Sequence, residues 1–206
     1  MKILALVTIA VLCAAGAMAA PFTNGSFELP SLPADGRAEA TLAAGWSSYA
    51  SATCNPQLLR YTPPSTVVIP VGWQYGQMQV TALNAYAGDM QTFDAIPGYT
   101  YTIQGWIRPL AGTATMRVGV DTAGGTTRPS VWGVTRNGLI DGTAWYQFPA
   151  FQVTATGTSM TIFIDVESTT KTGIAGAFDG IMIPEPGSMV ALLSGLVGLV
   201  AIRRRK

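Results

Sequence analysis

The chain has 206 residues, of which 49% are hydrophobic and 11% are charged, and residues 21–183 carry seven basic against ten acidic side chains, a net charge of −3. That balance leaves no basic surface for a phosphate backbone and argues against nucleic acid as a partner. The chain contains no histidine, which excludes imidazole as a general base, as a zinc ligand and as a member of a catalytic triad.

The first nineteen residues have the pattern of a secretory signal peptide. Met1 and Lys2 form a short positive region, residues 3–15 are apolar, and residues 17–19 (Ala-Met-Ala) provide a small-x-small cleavage site. We therefore expect export and cleavage by signal peptidase after residue 19. An uncleaved anchor helix is the alternative, but the apolar run is short and rich in alanine.

Residues 20–183 are predicted to form one all-β domain, because apolar residues recur there at every second position. Three runs carry this alternation: Tyr101, Ile103, Gly105 and Ile107; Met116, Val118 and Val120; Met160, Ile162, Ile164 and Val166. Turn sequences separate the runs: Asn24-Gly25-Ser26, Pro97-Gly98, Ala123-Gly124-Gly125, Asn137-Gly138 and Asp141-Gly142. Strands of ordinary length at this spacing predict a jelly-roll β-sandwich.

Residues 184–206 have a different composition from the domain. The segment consists of the triplet Pro184, Glu185 and Pro186, an apolar stretch from 187 to 202, and the basic residues Arg203, Arg204, Arg205 and Lys206. As a helix, the apolar stretch reaches roughly 24 Å, short of the ~30 Å hydrocarbon core of a bilayer. The sequence therefore predicts a short transmembrane segment whose basic tail stays on the cytoplasmic side.

This C-terminal segment resembles the PEP-CTERM sorting signal of bacterial surface proteins. The resemblance implies that an exosortase-type membrane protease recognises residues 184–186, removes the tail, and releases the protein to the cell surface or extracellular matrix. The two prolines disfavour helix and keep the triplet extended. A plain tail anchor with a proline-rich stalk is the alternative.

The domain itself resembles galactose-binding-like β-sandwiches, the fold of many secreted carbohydrate-binding modules. The resemblance depends on landmarks in order along the chain: Asn24-Gly25-Ser26-Phe27-Glu28, Gly45-Trp46, Pro97-Gly98-Tyr99-Thr100-Tyr101, Trp106-Ile107-Arg108 and Phe178-Asp179-Gly180. It implies that the first and last strands pair, and that Glu28 and Asp179 help to hold a structural calcium ion. Gly180 stands where that family usually has a second acid. The alternative to a calcium site is that Glu28 and Asp179 are ordinary solvated acids at strand ends.

Sugar recognition needs aromatic rings beside planar polar groups, and four residues are candidates for it. Trp106 and Arg108 share one strand face, and Trp73 and Tyr75 precede a predicted loop. These four are the predicted ligand-binding residues. Alternatively, Trp106 and Arg108 belong to a second core face, and Trp73 and Tyr75 close the edge of the sandwich.

A second group of polar residues lies on other predicted strands. Arg117 shares a face with Asp121, and Phe163 shares one with Asp165. If these two faces coincide with that of Trp106 and Arg108, the three form a mixed aromatic and charged surface. Asp165 and Glu167, with backbones ~7 Å apart on one face, also meet the carboxylate spacing of a glycoside hydrolase. A solvated polar face is the alternative.

The sequence as a whole favours an exported, non-enzymatic surface or matrix protein that binds extracellular polysaccharide. Such a protein requires no cofactor, and a structural calcium ion is what the resemblance implies. Its expected partners are signal peptidase, an exosortase-type protease and polysaccharide. A purely structural protein of the envelope or biofilm, with no discrete ligand, is the main alternative. A glycoside hydrolase that uses Asp165 and Glu167 is the third.

Overall fold

The computed structural model describes residues 21–51, 54–60, 68–111, 114–129, 131–137, 144–168 and 173–184. The regular structure in these ranges is entirely β, as the sequence predicted. Its strands are β1 Arg37–Glu39, β2 Ser47–Ala50, β3 Cys54–Arg60, β4 Gln74–Val80, β5 Ala85–Asp94, β6 Thr100–Ala111, β7 Thr115–Asp121, β8 Val134–Asn137, β9 Tyr146–Thr154, β10 Ser159–Ser168 and β11 Ile174–Met182.

The strands form two sheets that pack as a β-sandwich. One sheet has six strands in the order β1-β3-β4-β11-β6-β9, and the other has five in the order β2-β5-β10-β7-β8. Neighbouring strands are antiparallel throughout both sheets. The predicted sandwich is thus confirmed.

The core lies between the two sheets and is built from the predicted alternating residues. On β6 the inner residues are Tyr101, Ile103 and Ile107, and β10 contributes its even-numbered residues from 160 to 166. All of these side chains are buried. Burial of apolar surface at every second position fixes the register of each strand, because a slip of one residue would turn the apolar set outward.

The turn predictions within the described residues are confirmed. Gly98 and Gly124 have positive φ angles of 78° and 80°, a conformation that glycine adopts without the steric penalty of a Cβ atom. Asn24 also has a positive φ, and its carbonyl accepts a hydrogen bond from the Phe27 amide, closing the predicted turn. Residues 138–143 lie outside the described residues, so the predicted turn Asp141-Gly142 and the second residue of Asn137-Gly138 are not tested.

The segment before β1 seals one end of the core. Phe27 is fully buried and stacks on Trp46, with ring centroids 5.1 Å apart. The Trp46 indole donates a hydrogen bond to the carbonyl of Asn24. A Cβ atom on Gly76 would lie 2.7 Å from the Phe27 ring, so only glycine at this position of β4 leaves room for the ring.

The expected pairing of the first and last strands is wrong in detail. β1 pairs with β3 at the sheet edge, whereas β11 lies between β4 and β6. The segment preceding β1 approaches β11 instead, where the Ile181 amide donates to the Gly25 carbonyl over 2.9 Å. The opening motif is held by its turn rather than by a strand, because Asn24 and Phe27 both have positive φ angles.

One carboxyl group is buried inside the sandwich. Asp89 lies on the inner face of β5, aligned with Ile164 of β10, and its Oδ1 atom has no hydrogen-bond partner among the described residues. Burial raises the pKa of Asp89 to about 7, because the charged form is poorly solvated in the core. The folded domain therefore retains this proton at pH values where the unfolded chain has released it.

We expect the substitution Asp89→Asn to reduce the pH dependence of stability. Between pH 3.8, the ordinary pKa of an aspartate, and about 7, the pKa of Asp89 in the folded domain, this carboxyl group is deprotonated only in the unfolded chain. The free energy of unfolding therefore falls as pH rises, by about 1.4 kcal/mol per pH unit from this group. Urea unfolding across that interval measures the slope. Asp94→Asn, at the exposed end of the same strand, is the control, and equal slopes for the two variants would contradict the assignment.

Candidate functional site

Four charged side chains meet on the outer face of the five-stranded sheet and form what we call the ion-pair cluster: Arg117, Arg128, Asp165 and Glu167. Arg128 grips Asp165 with two hydrogen bonds, from Nε to Oδ2 at 2.9 Å and from Nη2 to Oδ1 at 2.8 Å. Glu167 accepts hydrogen bonds from both arginines through Oε2. Arg117 also lies 3.9 Å from Asp165.

Strand alternation brings three of these residues together. Asp165 and Glu167 are two positions apart on β10, and Arg117 of β7 is directly opposite Asp165. Because Phe163 has the same parity as Asp165 on β10, the Arg117 and Phe163 faces coincide. The face of Trp106 and Arg108 lies on the other sheet, so the sequence hypothesis of one shared surface holds for only two of its three faces. Arg128 comes from the connection between β7 and β8, which sequence periodicity did not mark as part of this face.

Two glycines leave space above the sheet for the aromatic side chains of the site. A Cβ atom at Gly119 would lie 2.7 Å from the Trp132 ring, and one at Gly88 would lie 2.5 Å from the Tyr49 hydroxyl. Tyr49 therefore reaches across Gly88 and donates a hydrogen bond to Asp165 Oδ2 over 3.1 Å. Trp132 lies across Gly119 in the same way, next to the arginines.

Aromatic rings surround the arginines of the cluster. The Arg128 guanidinium lies 3.9 Å from the Tyr86 ring centroid and 5.2 Å from that of Trp132. Arg117 is 5.6 Å from the same Trp132 centroid. These distances lie within the range of cation–π attraction. Together, the rings and ion pairs make a mixed aromatic and charged surface, although its rings are not the aromatic residues that the sequence indicated.

Burial and ion pairing act in opposite directions on the acids. Burial raises the pKa of Asp165 above its ordinary value, and hydrogen bonds from Arg128 only partly oppose this. Burial also acts to raise the pKa of Glu167, but hydrogen bonds from Arg128 and Arg117 outweigh it, so that pKa is lowered. The two acids thus have different proton affinities in one cluster.

The cluster has no net formal charge and is only partly open to solvent. The Arg117, Arg128 and Glu167 side chains are 19%, 21% and 20% exposed, whereas Asp165 is fully buried. Asp165 thus anchors the cluster from below, and the other three residues present donor and acceptor atoms at the surface. Such planar groups beside aromatic rings suit the hydroxyl groups and apolar ring faces of sugars.

We expect Arg128→Met to destabilise the domain by about 3–5 kcal/mol, because it leaves the buried Asp165 without its main partner. The double variant with Asp165→Leu should recover most of that loss, since an apolar pair can replace a buried ion pair. Urea unfolding compares the variants. Arg136→Met is the control, because Arg136 lies on exposed β8 over the Tyr146 ring; an equal loss in this control would contradict the role of Arg128.

The four predicted ligand-binding residues lie on or beside the opposite, six-stranded sheet. Trp106 and Arg108 face outward from β6, Tyr75 faces outward from β4, and Trp73 immediately precedes that strand. Trp73 is 49% exposed, whereas Tyr75 and Arg108 are buried at 2% and 6%. Trp145, which sequence reasoning missed, covers this pair, with its ring 5.4 Å from Tyr75 and 5.9 Å from Arg108.

The predicted calcium residues both bind the loop that precedes β4. Glu28 Oε1 accepts the amide hydrogens of Trp73 and Gln74, each over 2.7 Å. Asp179 accepts those of Val71 at 2.8 Å and its neighbour Gly180 at 2.6 Å. Burial raises the pKa of Asp179 to about 8, although both amides act to lower it, while the nearby charge of Glu28 raises it further.

These contacts bear on whether calcium fits. Three of the four carboxylate oxygens face amide donors, which do not bind a cation. Among the residues that the structure describes, no group of three or more His, Cys, Asp or Glu side chains could hold a metal. The described contacts therefore fit a loop clamp better than a calcium shell, and the calcium ion stays a prediction from the resemblance.

The two terminal signals fall largely outside the described residues. The signal peptide, residues 1–19, lies outside them, as do Glu185, Pro186 and the tail up to Lys206. Pro184 follows β11 and is exposed. No helix capable of crossing a bilayer occurs in the part of the chain that the structure describes.

Comparisons with known proteins find solved structures that share this fold. No protein-family model matches the chain, and no curated protein matches it. A cyclase from Fischerella sp. TAU, solved with 4-(1H-indol-3-yl)butan-2-one, is 19% identical with a TM-score of 0.60, covering 82% of this chain and 97% of the cyclase. TmCBM61, solved with β-1,4-galactotriose, is 17% identical with a TM-score of 0.52, covering 80% and 97%. The chain shares its fold with carbohydrate-binding modules and with cyclases.

Proposed function

We propose that this chain is an exported, non-enzymatic β-sandwich that binds polysaccharide on the outer face of its five-stranded sheet. The observation that carries the proposal is the ion-pair cluster with Trp132 and Tyr86 beside it. A sugar ring stacks on an aromatic face, here that of the half-buried Trp132, and its hydroxyl groups pair with arginine and carboxylate groups. The shared fold of a module solved with β-1,4-galactotriose supports this choice.

The ion-pair cluster has no net charge, which favours a neutral glycan over an anionic one. Each arginine already has a carboxylate partner, so an anionic sugar would have to displace Glu167 or Asp165. A neutral sugar can add hydrogen bonds without breaking an ion pair, because a hydroxyl group both donates and accepts. Neutral polysaccharides are therefore the first ligands to test.

The arrangement of the acids supports binding rather than glycoside hydrolysis. A hydrolase needs one carboxyl group held protonated as the acid and one that is free to act as nucleophile or base. Here Arg128 donates hydrogen bonds to both acids, and the Asp165 side chain is fully buried, so neither carboxyl group is free. The hydrolase hypothesis would require glycan cleavage that Asp165→Asn or Glu167→Gln abolishes while the fold is intact.

We expect Trp132→Ala to weaken glycan binding about tenfold, equivalent to about 1.4 kcal/mol, because it removes an aromatic face while leaving the core intact. Affinity electrophoresis against β-1,4-galactan, xylan and mixed-linkage β-glucan measures the change. Val131→Ala is the matched control, because Val131 is the neighbouring residue and is 79% exposed. Equal affinities for the two variants would contradict the site, and no binding to any of the three would favour a ligand-free structural protein.

Export and sorting complete the proposal. The domain, of a galactose-binding-like jelly-roll type, is carried out of the cytoplasm by residues 1–19. It is anchored transiently in the inner membrane by residues 184–206, and then reaches the cell surface or extracellular matrix. Signal peptidase and an exosortase-type protease are the processing partners. The support for this route is the sequence pattern at each end.

We expect the protein recovered from its native host to lack both terminal signals. Intact mass spectrometry of the envelope and released fractions should show one species that begins near residue 20 and ends near residues 184–186. The basic tail is removed together with the apolar segment if a protease cuts at the triplet. Membrane-bound protein that retains residues 203–206, with no shorter form, would make this a simple tail-anchored protein.

A further inference from the structure

We propose that the outer face of the six-stranded sheet is a second, separate glycan-binding surface, so that one domain connects two polysaccharide chains. The surface is defined here by Gln57, Trp73, Gln77, Arg108 and Trp145 and is called the six-stranded face. Its bivalent use rests on the proposed function of the five-stranded face, whereas the surface itself is argued from separate residues.

A row of polar side chains crosses this face. Gln57 of β3 is aligned with Gln77 of β4, which is aligned with Ala177 of β11, and Ala177 is in turn aligned with Arg108 of β6. With neighbouring strands ~4.8 Å apart, the row is ~14 Å long. The small side chain of Ala177 interrupts the row at its centre.

Gln57 and Trp145 each place a buried donor on this face without an acceptor among the described residues. Gln57 is 2% exposed, and its Oε1 accepts hydrogen bonds from Arg37 at 2.7 Å and from Gln77 at 2.8 Å. Both contacts use the amide oxygen. The amide nitrogen of Gln57 has no hydrogen-bond partner among the described residues. Within the same described ranges, Trp145 Nε1 is also buried without a partner.

A buried donor without a partner in the protein is expected to bond to an acceptor outside it, such as a water molecule or a ligand. Leaving such a group unsatisfied is unfavourable, and native proteins satisfy nearly all of them with protein atoms, water or ligand. The Gln57 and Trp145 groups are both donors, so the complementary ligand presents oxygen acceptors. Hydroxyl and ring oxygens of a polysaccharide do so at short, regular intervals. The half-exposed Trp73, four residues before Gln77 in the chain, offers an apolar face to the sugar rings.

The position of this face relative to the ion-pair cluster decides its consequence. The inner faces of the two sheets meet in the core, so their outer faces point in opposite directions. A glycan chain on the six-stranded face and one on the five-stranded face therefore lie on opposite sides of the domain. A single copy of the domain can then cross-link two chains, which would make the protein a binding module and a structural element of the matrix at once.

The test uses the full processed chain and isothermal titration calorimetry, with whichever of β-1,4-galactotriose, xylotriose and cellotriose binds. Two sites per chain are expected for the wild type and one for each single-face variant. Trp145→Phe removes the indole donor but keeps the ring, and Trp73→Ala alters only a half-exposed residue; each should weaken binding at the six-stranded face about tenfold. Trp132→Ala should do the same to the five-stranded face, and Leu83→Ala, a change of another exposed apolar residue, is the control.

The outcomes separate the two proposals. A single site that is lost in Trp132→Ala but kept in Trp145→Phe and Trp73→Ala would overturn the second surface and leave the proposed function standing. A single site with the opposite dependence would support the six-stranded face and overturn both the cluster site and the cross-linking. Binding of none of the three sugars would overturn both proposals.

A bridging assay tests the cross-linking directly. Beads that carry the polysaccharide of the bound sugar should recruit a fluorescent soluble form of the same polysaccharide when wild-type protein is added. Trp132→Ala and Trp73→Ala should each reduce that recruitment several-fold, while each variant still binds to the beads through its intact face. Recruitment that is unchanged in Trp73→Ala would contradict the second surface.

Discussion

Burial of alternate side chains between the two sheets is the constraint on which the rest of the structure depends. Residues such as Ile103, Ile107 and Ile164 must face the core, and the pleat then sends each neighbouring residue outward. Arg117, Asp165 and Glu167 on one sheet, and Gln77 and Arg108 on the other, therefore occupy the outer faces. Apolar packing thus selects the residues that are available for binding, although it does not itself form either site.

Loops, rather than strands, supply several of the aromatic side chains on the outer faces of the two sheets. The bidentate contact between Arg128 and Asp165 ties the connection after β7 to the sheet and brings Trp132 over Gly119. On the other sheet, Glu28 and Asp179 hold the loop before β4 through its amides. In both places a buried or half-buried carboxylate orients a loop that carries an aromatic residue, so the acids act first as structural anchors.

The two faces offer different chemistry to a ligand. The five-stranded face has paired charges next to aromatic rings, whereas the residues that define the six-stranded face supply amide and indole donors and one arginine, with no carboxylate among them. A domain that binds on both sides would explain how one small sandwich serves as a binding module and as a matrix component, two functions that the sequence left as alternatives. The shared fold alone does not choose between binding and catalysis, because both cyclases and carbohydrate-binding modules use it.

The sequence by itself determined the all-β class and the inner residues of β6, β7 and β10, and it predicts a signal segment at each end. It did so because alternation, turn chemistry and apolar runs are local properties of the chain. Only the tertiary structure decided that Arg128 reaches Asp165, 37 positions away, and that Trp145 covers Tyr75 and Arg108. Such contacts depend on how loops fold across a finished sheet, so local periodicity carries no signal for them.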